Sequence, residues 1–198
     1  MIFLLILLCY FIGSIPFGYI IVKLISHIDI RTVGSGNIGA TNAGRVLGKW
    51  GFITVFILDF LKGFIPLFLI KNYYGENYVL LLAALFIILG HMFTIFLKFK
   101  GGKGVATGLG IFTAIDPLAT LIGIIIFAIA ALLSKMVSFS SILASIGVAA
   151  YLWISNRWTA LNVIVTVIVL LIIYRHKENI KRICQGKENK IGVRIDKS

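Results

Sequence analysis

MIFLLILLCYFIGSIPFG, residues 1–18, continues through residues 19–25 with no acidic residue and one basic residue, Lys23. A run of this length meets the roughly 20 apolar residues that a helix needs to cross a hydrocarbon core of about 30 Å. It lacks the positive leading region of a secretory signal and stays apolar past Pro16, so it is read as a retained span over 2–25. Similar runs, bounded by charge, glycine or proline, predict helices over 50–71, 78–97, 105–115, 118–134, 142–154 and 158–174. The expected fold is an all-α, polytopic membrane bundle of seven transmembrane helices, one domain over 1–198 with a short basic tail at 175–198. The fourth and sixth helices are short for a crossing and are read as tilted, partly buried or half-helices in a locally thin bilayer. A five-span arrangement without them is the topological alternative.

Composition supports a membrane solvent. Of the 198 residues 60% are hydrophobic and the mean hydropathy is +1.04, against roughly 45–50% apolar content in a soluble domain. The net charge of +12 would suit nucleic acid, but its placement argues against that partner. Eight of the nineteen basic residues (Arg175, Lys177, Lys181, Arg182, Lys187, Lys190, Arg194 and Lys197) lie in the last stretch, and Lys98, Lys100 and Lys103 form a second cluster. With seven spans, 26–49, 98–104, 135–141 and 175–198 share one side and hold nearly all the basic residues. Lys71 and Arg157 fall opposite, and Lys62 lies within a span. The positive-inside bias then puts the N-terminus outside and the C-terminus in the cytoplasm, with anionic headgroups and small phosphates as the expected partners. Cys9 and Cys184 lie at opposite ends of the chain and suggest neither a disulfide framework nor a metal site.

Three polar segments carry the chemistry. In the first, Asp29-Ile-Arg31-Thr-Val-Gly34-Ser35-Gly36-Asn37-Ile-Gly39-Ala-Thr41-Asn42-Ala-Gly44-Arg45, glycines permit backbone geometries whose N–H groups converge on an anion. Ser35, Asn37, Thr41 and Asn42 add neutral donors, and Arg45 adds a bidentate phosphate partner. Gly34-Ser-Gly36-Asn-Ile-Gly39 formally matches a dinucleotide fingerprint, but a membrane helix precedes it where that motif needs a strand. The second segment, Lys98-Phe99-Lys100-Gly101-Gly102-Lys103-Gly104-Val-Ala-Thr107, joins glycines to positive charge and then opens a helix, a ready anion site. Here Lys98 and Lys100 are read as topology-fixing and Lys103 as functional. In the third, Arg175-His176-Lys177-Glu178-Asn179-Ile-Lys181-Arg182, a continuing helix puts His176 and Asn179 on one face, with Glu178 and Arg182 as an i, i+4 pair. Three weaker features follow. Ser138, Ser140 and Ser141 are read as capping a helix start, Asp59 and Lys62 as a neutralising pair within a span, and His91 as a packed histidine.

In this order, the three segments resemble the bacterial acyl-phosphate:glycerol-3-phosphate acyltransferases. The likeness also takes in Gly13-Ser-Ile-Pro-Phe-Gly18, Asp59-x-x-Lys62-Gly63, Gly90-His91 and Gly186-Lys-Glu188, so it covers nearly the whole chain. The resemblance implies a seven-span enzyme of the bacterial cell membrane, its active site facing the cytoplasm, that makes 1-acylglycerol 3-phosphate from acyl phosphate and glycerol 3-phosphate. No cofactor or metal is implied; the partners are membrane lipids and the soluble enzyme that makes acyl phosphate, with no nucleic acid. By motif, Ser35, Arg45, Lys103, His176 and Asn179 are the polar residues expected at the active site. Gly34, Gly36, Asn37, Gly39, Thr41 and Asn42 are expected to bind substrate, as are Gly101, Gly102, Gly104, Thr107 and Ser141. The H-x-x-x-x-D motif of thioester-dependent acyltransferases is missing, since the fifth position after His27, His91 and His176 holds Thr32, Phe96 and Lys181. An acyl phosphate is already activated, so the protein has mainly to bind two phosphates and orient a hydroxyl. A transporter for a phosphorylated solute is the alternative; it would have to open to both sides, whereas the polar groups here gather on one.

Overall fold

The computed structural model describes residues 1–155 and 158–191; Arg157, Arg194 and Lys197 of the reading above lie outside them. All regular structure among the described residues is helical. The chain divides into two compact units, Met1–Ile115 and a second that begins at Asp116.

In the first unit, α1 (Ile2–Ser14) and α2 (Phe17–Ser26) break at Ile15-Pro16, where the proline has no N–H to continue the ladder. Together they form one candidate span of 25 residues. After a 3-10 turn at Ile30–Thr32, α3 (Ala40–Tyr74) runs to the far end but is broken at Gly48, whose φ of 71° and ψ of −162° no L side chain adopts readily. The expected helix over 50–71 is therefore the long leg of α3, and residues 40–47 are a short leg belonging to the first polar segment. α4 (Tyr78–Met92) stops five residues before the expected end at 97. Thr94 turns the chain there by accepting from the Phe96 N–H and donating to the Ser14 carbonyl at 2.6 Å, so Ile95–Leu97 is a 3-10 turn. α5 (Val105–Ile115) closes the unit.

Lipid is as apolar as leucine, so close backbone approach rather than hydrophobic expulsion must join these helices. Two pairs achieve it reciprocally through glycine. α1 meets α4 where a methyl on Gly13 would overlap the Ile87 carbonyl and one on Gly90 the Tyr10 carbonyl. α3 meets α5 where Gly63 faces the Thr107 carbonyl and Gly110 the Phe60 carbonyl. Val22, Ile30, Ile38, Ala43 and Val55 fill the core between α2, the first loop and α3.

In the second unit, α7 (Val137–Ile154) packs against α6 (Pro117–Ser134), α8 (Thr159–Arg175) and α9 (Lys177–Cys184). The sixth expected helix, 142–154, is longer than its sequence suggests. Ser140 and Ser141 do not cap it; their hydroxyls donate to the Met136 and Val137 carbonyls one turn back at 2.8 Å, inside the helix. α8 and α9 meet at a 57° bend.

Among the described residues, five helical segments are long and apolar enough to cross a membrane, or six if α8 with α9 counts as one. α7, at 18 residues, qualifies, whereas α5, at 11 residues, spans only about 16 Å. Leu69, Leu132 and Leu133 face outward, as lipid contact requires.

Candidate functional site

In the first unit, the polar loop ahead of α3 is built around Asn42. Its side chain is 1% exposed. Its amide donates to the Ile30 carbonyl at 3.1 Å and the Val33 carbonyl at 3.0 Å, and its Oδ1 accepts from the Ser35 N–H at 3.0 Å. Both amide hydrogens of this expected substrate donor are thus used inside the loop. Gly34 and Gly36 flank Ser35 with φ of 60° and 67°, and a side chain on Gly34 would overlap Asn42 Oδ1. Ser35 stands exposed between them. The Arg45 side chain lies over the same turn, its Cδ 3.5 Å from where a Gly34 methyl would be. Asn37 is half-buried beside Gly39, whose carbonyl accepts from the Asn42 and Ala43 N–H groups, and Thr41 is exposed on the first turn of α3. Asp29 braces the loop entry through a bidentate pair with Arg31, with contacts of 2.9 and 2.6 Å. Those hydrogen bonds hold its carboxyl at about 2.

The second segment leaves the Ile95–Leu97 turn through Lys98 and Phe99, both at positive φ. Lys98 and Lys100 are exposed, whereas Lys103 is half-buried. The Gly101 N–H donates to the Met92 carbonyl at 3.1 Å and the Gly102 N–H to the His91 carbonyl at 3.0 Å. These two glycines cap the end of α4 and so fix where Lys103 leaves it. Gly104 packs on Met92 and Ile88, and its carbonyl starts α5 by accepting from Gly108 at 2.7 Å. The Thr107 hydroxyl is buried without a hydrogen-bond partner among the described residues.

In the second unit, His176 is 2% exposed at the α8–α9 bend. Its Nδ1 lies 2.8 Å from the Ile172 carbonyl, an acceptor only, so in the neutral ring Nδ1 carries the proton and Nε2 the lone pair. Asn179, on the first turn of α9, is also buried, and its amide donates to Glu188 Oε1 at 2.6 Å. The Ser138 hydroxyl donates to the same oxygen at 2.8 Å, and Arg182 Nε to Glu188 Oε2 at 2.8 Å. The expected Glu178–Arg182 pair is therefore replaced by Arg182–Glu188, with Glu178 exposed. A carboxylate beyond the helix can meet Arg182, Asn179 and Ser138 together, which Glu178 on the outer face of α9 does not. Burial pushes the Glu188 carboxyl up, but the hydrogen bonds from Asn179, Ser138 and Arg182, with the Arg182 charge, outweigh it and hold its pKa below the usual glutamate value. Sequence reasoning missed this clamp, because nothing in the local pattern separates Glu188 from Glu178 and Asp196, the other acids of the tail. Ser141 is buried one turn along α7 from Ser138.

Chemically, the first unit offers an exposed hydroxyl, an arginine and a half-buried lysine on glycine-shaped turns, suited to phosphate oxygens. The second offers an imidazole and a carboxamide whose orientations are fixed by other groups, suited to holding a polar substrate. Among the described residues no cluster of three or more His, Cys, Asp or Glu could hold a metal ion.

The sequence profile of the glycerol-3-phosphate acyltransferase family matches residues 3–186. Curated glycerol-3-phosphate acyltransferases of Endomicrobium trichonymphae and Aquifex aeolicus are 46% and 44% identical, covering 95% and 94% of this chain and 94% and 97% of their own. Among solved structures, the chain is similar to PlsY (YgiH), an integral membrane glycerol 3-phosphate acyltransferase. Against its glycerol 3-phosphate form the TM-score is 0.93 at 43% identity, with 96% of both chains covered. Against its lysophosphatidic acid form the TM-score is 0.90 at 42% identity, with 96% of this chain and 95% of that one covered.

Proposed function

Because the chain belongs to the glycerol-3-phosphate acyltransferase family, we propose that it transfers a fatty-acyl group from acyl phosphate to the sn-1 hydroxyl of glycerol 3-phosphate. The hydroxyl oxygen attacks the acyl carbon, the bond from that carbon to the phosphate oxygen breaks, and its electron pair leaves with inorganic phosphate. The product is 1-acylglycerol 3-phosphate (lysophosphatidic acid), the first acylation step of phospholipid synthesis. The observation that carries this reading is that the family match, residues 3–186, runs through all three polar segments and so includes Ser35, Arg45, Lys103, His176 and Asn179.

In the first unit, Arg45 and Lys103 are assigned to phosphate oxygens, with Ser35 beside Arg45. In the second, His176 and Asn179 are assigned to holding glycerol 3-phosphate, with Ser141 in support. The hydroxyl proton passes to a phosphate oxygen of the donor. The Nδ1–Ile172 contact supports holding over general-base catalysis, because a backbone carbonyl orients the ring without the charge that a partner carboxylate would give an imidazolium.

The same reading takes the chain as one catalytic domain that crosses the bacterial cell membrane seven times, α5 making a short crossing. The N-terminus is outside, and the C-terminus and active site are cytoplasmic. The basic loops share one side in that topology. Of the two exceptions, Lys71 and Arg157, the first is tied to Glu76 at 3.0 Å and donates to the Ile115 carbonyl at 2.7 Å, and the second lies outside the described residues. Membrane lipids surround the chain, and a soluble enzyme that makes acyl phosphate supplies the donor.

The test supplies purified protein in lipid with labelled glycerol 3-phosphate and either acyl phosphate or acyl-CoA. Product with acyl phosphate and negligible turnover with acyl-CoA are expected; comparable rates with both would remove the donor assignment.

A further inference from the structure

Behind the Lys103 turn runs a line of buried polar groups that the proposed reaction does not use. Lys62, 6% exposed on α3, donates from Nζ to the Ile15 carbonyl at 2.8 Å, at the break between α1 and α2. The same Nζ lies 2.7 Å from Asp59 Oδ1, one turn back on the same face. Asp59 Oδ1 in turn lies 3.8 Å from Nδ1 of His91, near the end of α4, an electrostatic contact longer than a hydrogen bond. His91 meets the glycine pair twice. Its carbonyl accepts from the Gly102 N–H at 3.0 Å, and its ring lies where a Gly102 methyl would go, overlapping Nε2 and lying 2.7 Å from Cε1.

Ionisable side chains inside a span cost several kcal/mol of desolvation, and an apolar trio of equal volume would pack without it. Retaining them suits a task that packing alone performs poorly, which is holding several elements at fixed angles. We propose that Asp59, Lys62 and His91 are positioning residues: their chain, anchored on the Ile15 carbonyl, fixes the His91 ring, the ring fixes Gly102, and Gly102 fixes where Lys103 stands. This rests on the reading of Lys103 as a phosphate ligand. It gives Gly102 a different reason for being glycine from an open anion cradle, since the space a methyl needs is held by a side chain that can be removed.

That difference supplies the test, made on the full chain in lipid with acyl phosphate and labelled glycerol 3-phosphate. Gly102→Ala should lower kcat/KM roughly 10- to 100-fold, the cost of a displaced ligand. His91→Ala, or His91→Asn should the alanine variant fail to fold, should itself cost about 10-fold, and adding it to Gly102→Ala should bring no further loss, because the methyl then takes the space the ring has left. The loss in Gly101→Ala should instead deepen when the His91 substitution is added, because its methyl meets the His91 and Met92 backbone and gains no space from the missing ring. Asp59→Asn should lower kcat/KM about 10-fold alone but less than about threefold in Lys103→Ala, because groups acting through one residue are not additive. Losses that multiply when the His91 substitution is added to Gly102→Ala, or when Asp59→Asn is added to Lys103→Ala, would overturn the inference alone. Wild-type kinetics in Lys103→Ala would overturn the phosphate-ligand reading, and the inference with it.

Discussion

Replacing Asn42 separates a loop scaffold from a substrate ligand. Asn42→Ala removes three hydrogen bonds, to the Ile30 and Val33 carbonyls and from the Ser35 N–H. Each is worth about 1 kcal/mol net, and more where the partner stays dry. The Ile30 contact is the buried one, while water can reach exposed Ser35, so the sum stays near 3 kcal/mol. That shifts local opening of the loop by roughly 10²-fold. Hydrogen exchange over residues 30–39, without substrate, should accelerate accordingly, and kcat/KM should fall by about 10-fold or more. Asn42→Asp is the sharper variant. It keeps the acceptor for Ser35 but sets carboxylate oxygen against two carbonyls, so it should be no better than alanine. Unchanged exchange over 30–39 in Asn42→Ala, or wild-type activity in Asn42→Asp, would refute the scaffold argument.

His176→Ala should be severely impaired, whereas His176→Asn or His176→Gln, which keep a hydrogen bond but cannot act as a base, should recover measurable activity. Equal, near-complete loss in all three folded variants, with a wild-type pH profile showing an essential base near pKa 6–7, would favour general-base catalysis instead. The Glu188 carboxyl titrates below its usual range when folded, so the stability it contributes is present above its unfolded pKa and lost as pH falls through the folded value. The Tm difference between wild type and Glu188→Gln should therefore be largest near neutrality and shrink below about pH 4; a difference that grows on acidification would contradict the clamp. Topology can be read from native Cys184, which is exposed while Cys9 is buried. In sealed vesicles of known orientation, a membrane-impermeant maleimide should reach Cys184 from the cytoplasmic side only, and Glu76→Cys in a Cys184→Ser background from the other. Labelling of both from one side would defeat seven crossings.

Helix existence was legible because long apolar runs admit few alternatives, and α6 and α8 begin and end within a residue of the expected bounds. Two of the misjudged boundaries lie where a hydroxyl bonds to a backbone carbonyl. Serine hydroxyls fold back onto α7 instead of capping it, and Thr94 bonds to the Ser14 carbonyl where α4 ends early. The Asp59–Lys62 pair was readable from its i, i+3 spacing. The roles of Asn42, Gly102 and Glu188 were not, because each depends on contacts between separate loops and helices. No local pattern distinguishes an asparagine that donates to backbone carbonyls from one that awaits a ligand.

The glycine contacts set a timetable for biogenesis. Gly13 packs on the Ile87 backbone and Gly90 on that of Tyr10, so α1 emerges about 75 residues before the helix it fits. At roughly 5–20 residues per second of synthesis, it waits on the order of 4–15 s without that partner. α3 waits a shorter time for α5, since Gly63 and Gly110 lie closer in the chain. The α3–α5 seam therefore forms on a shorter stretch of nascent chain after its first member appears. During its own interval, α1 must keep a small-residue face available, occupied by lipid or by the insertion machinery.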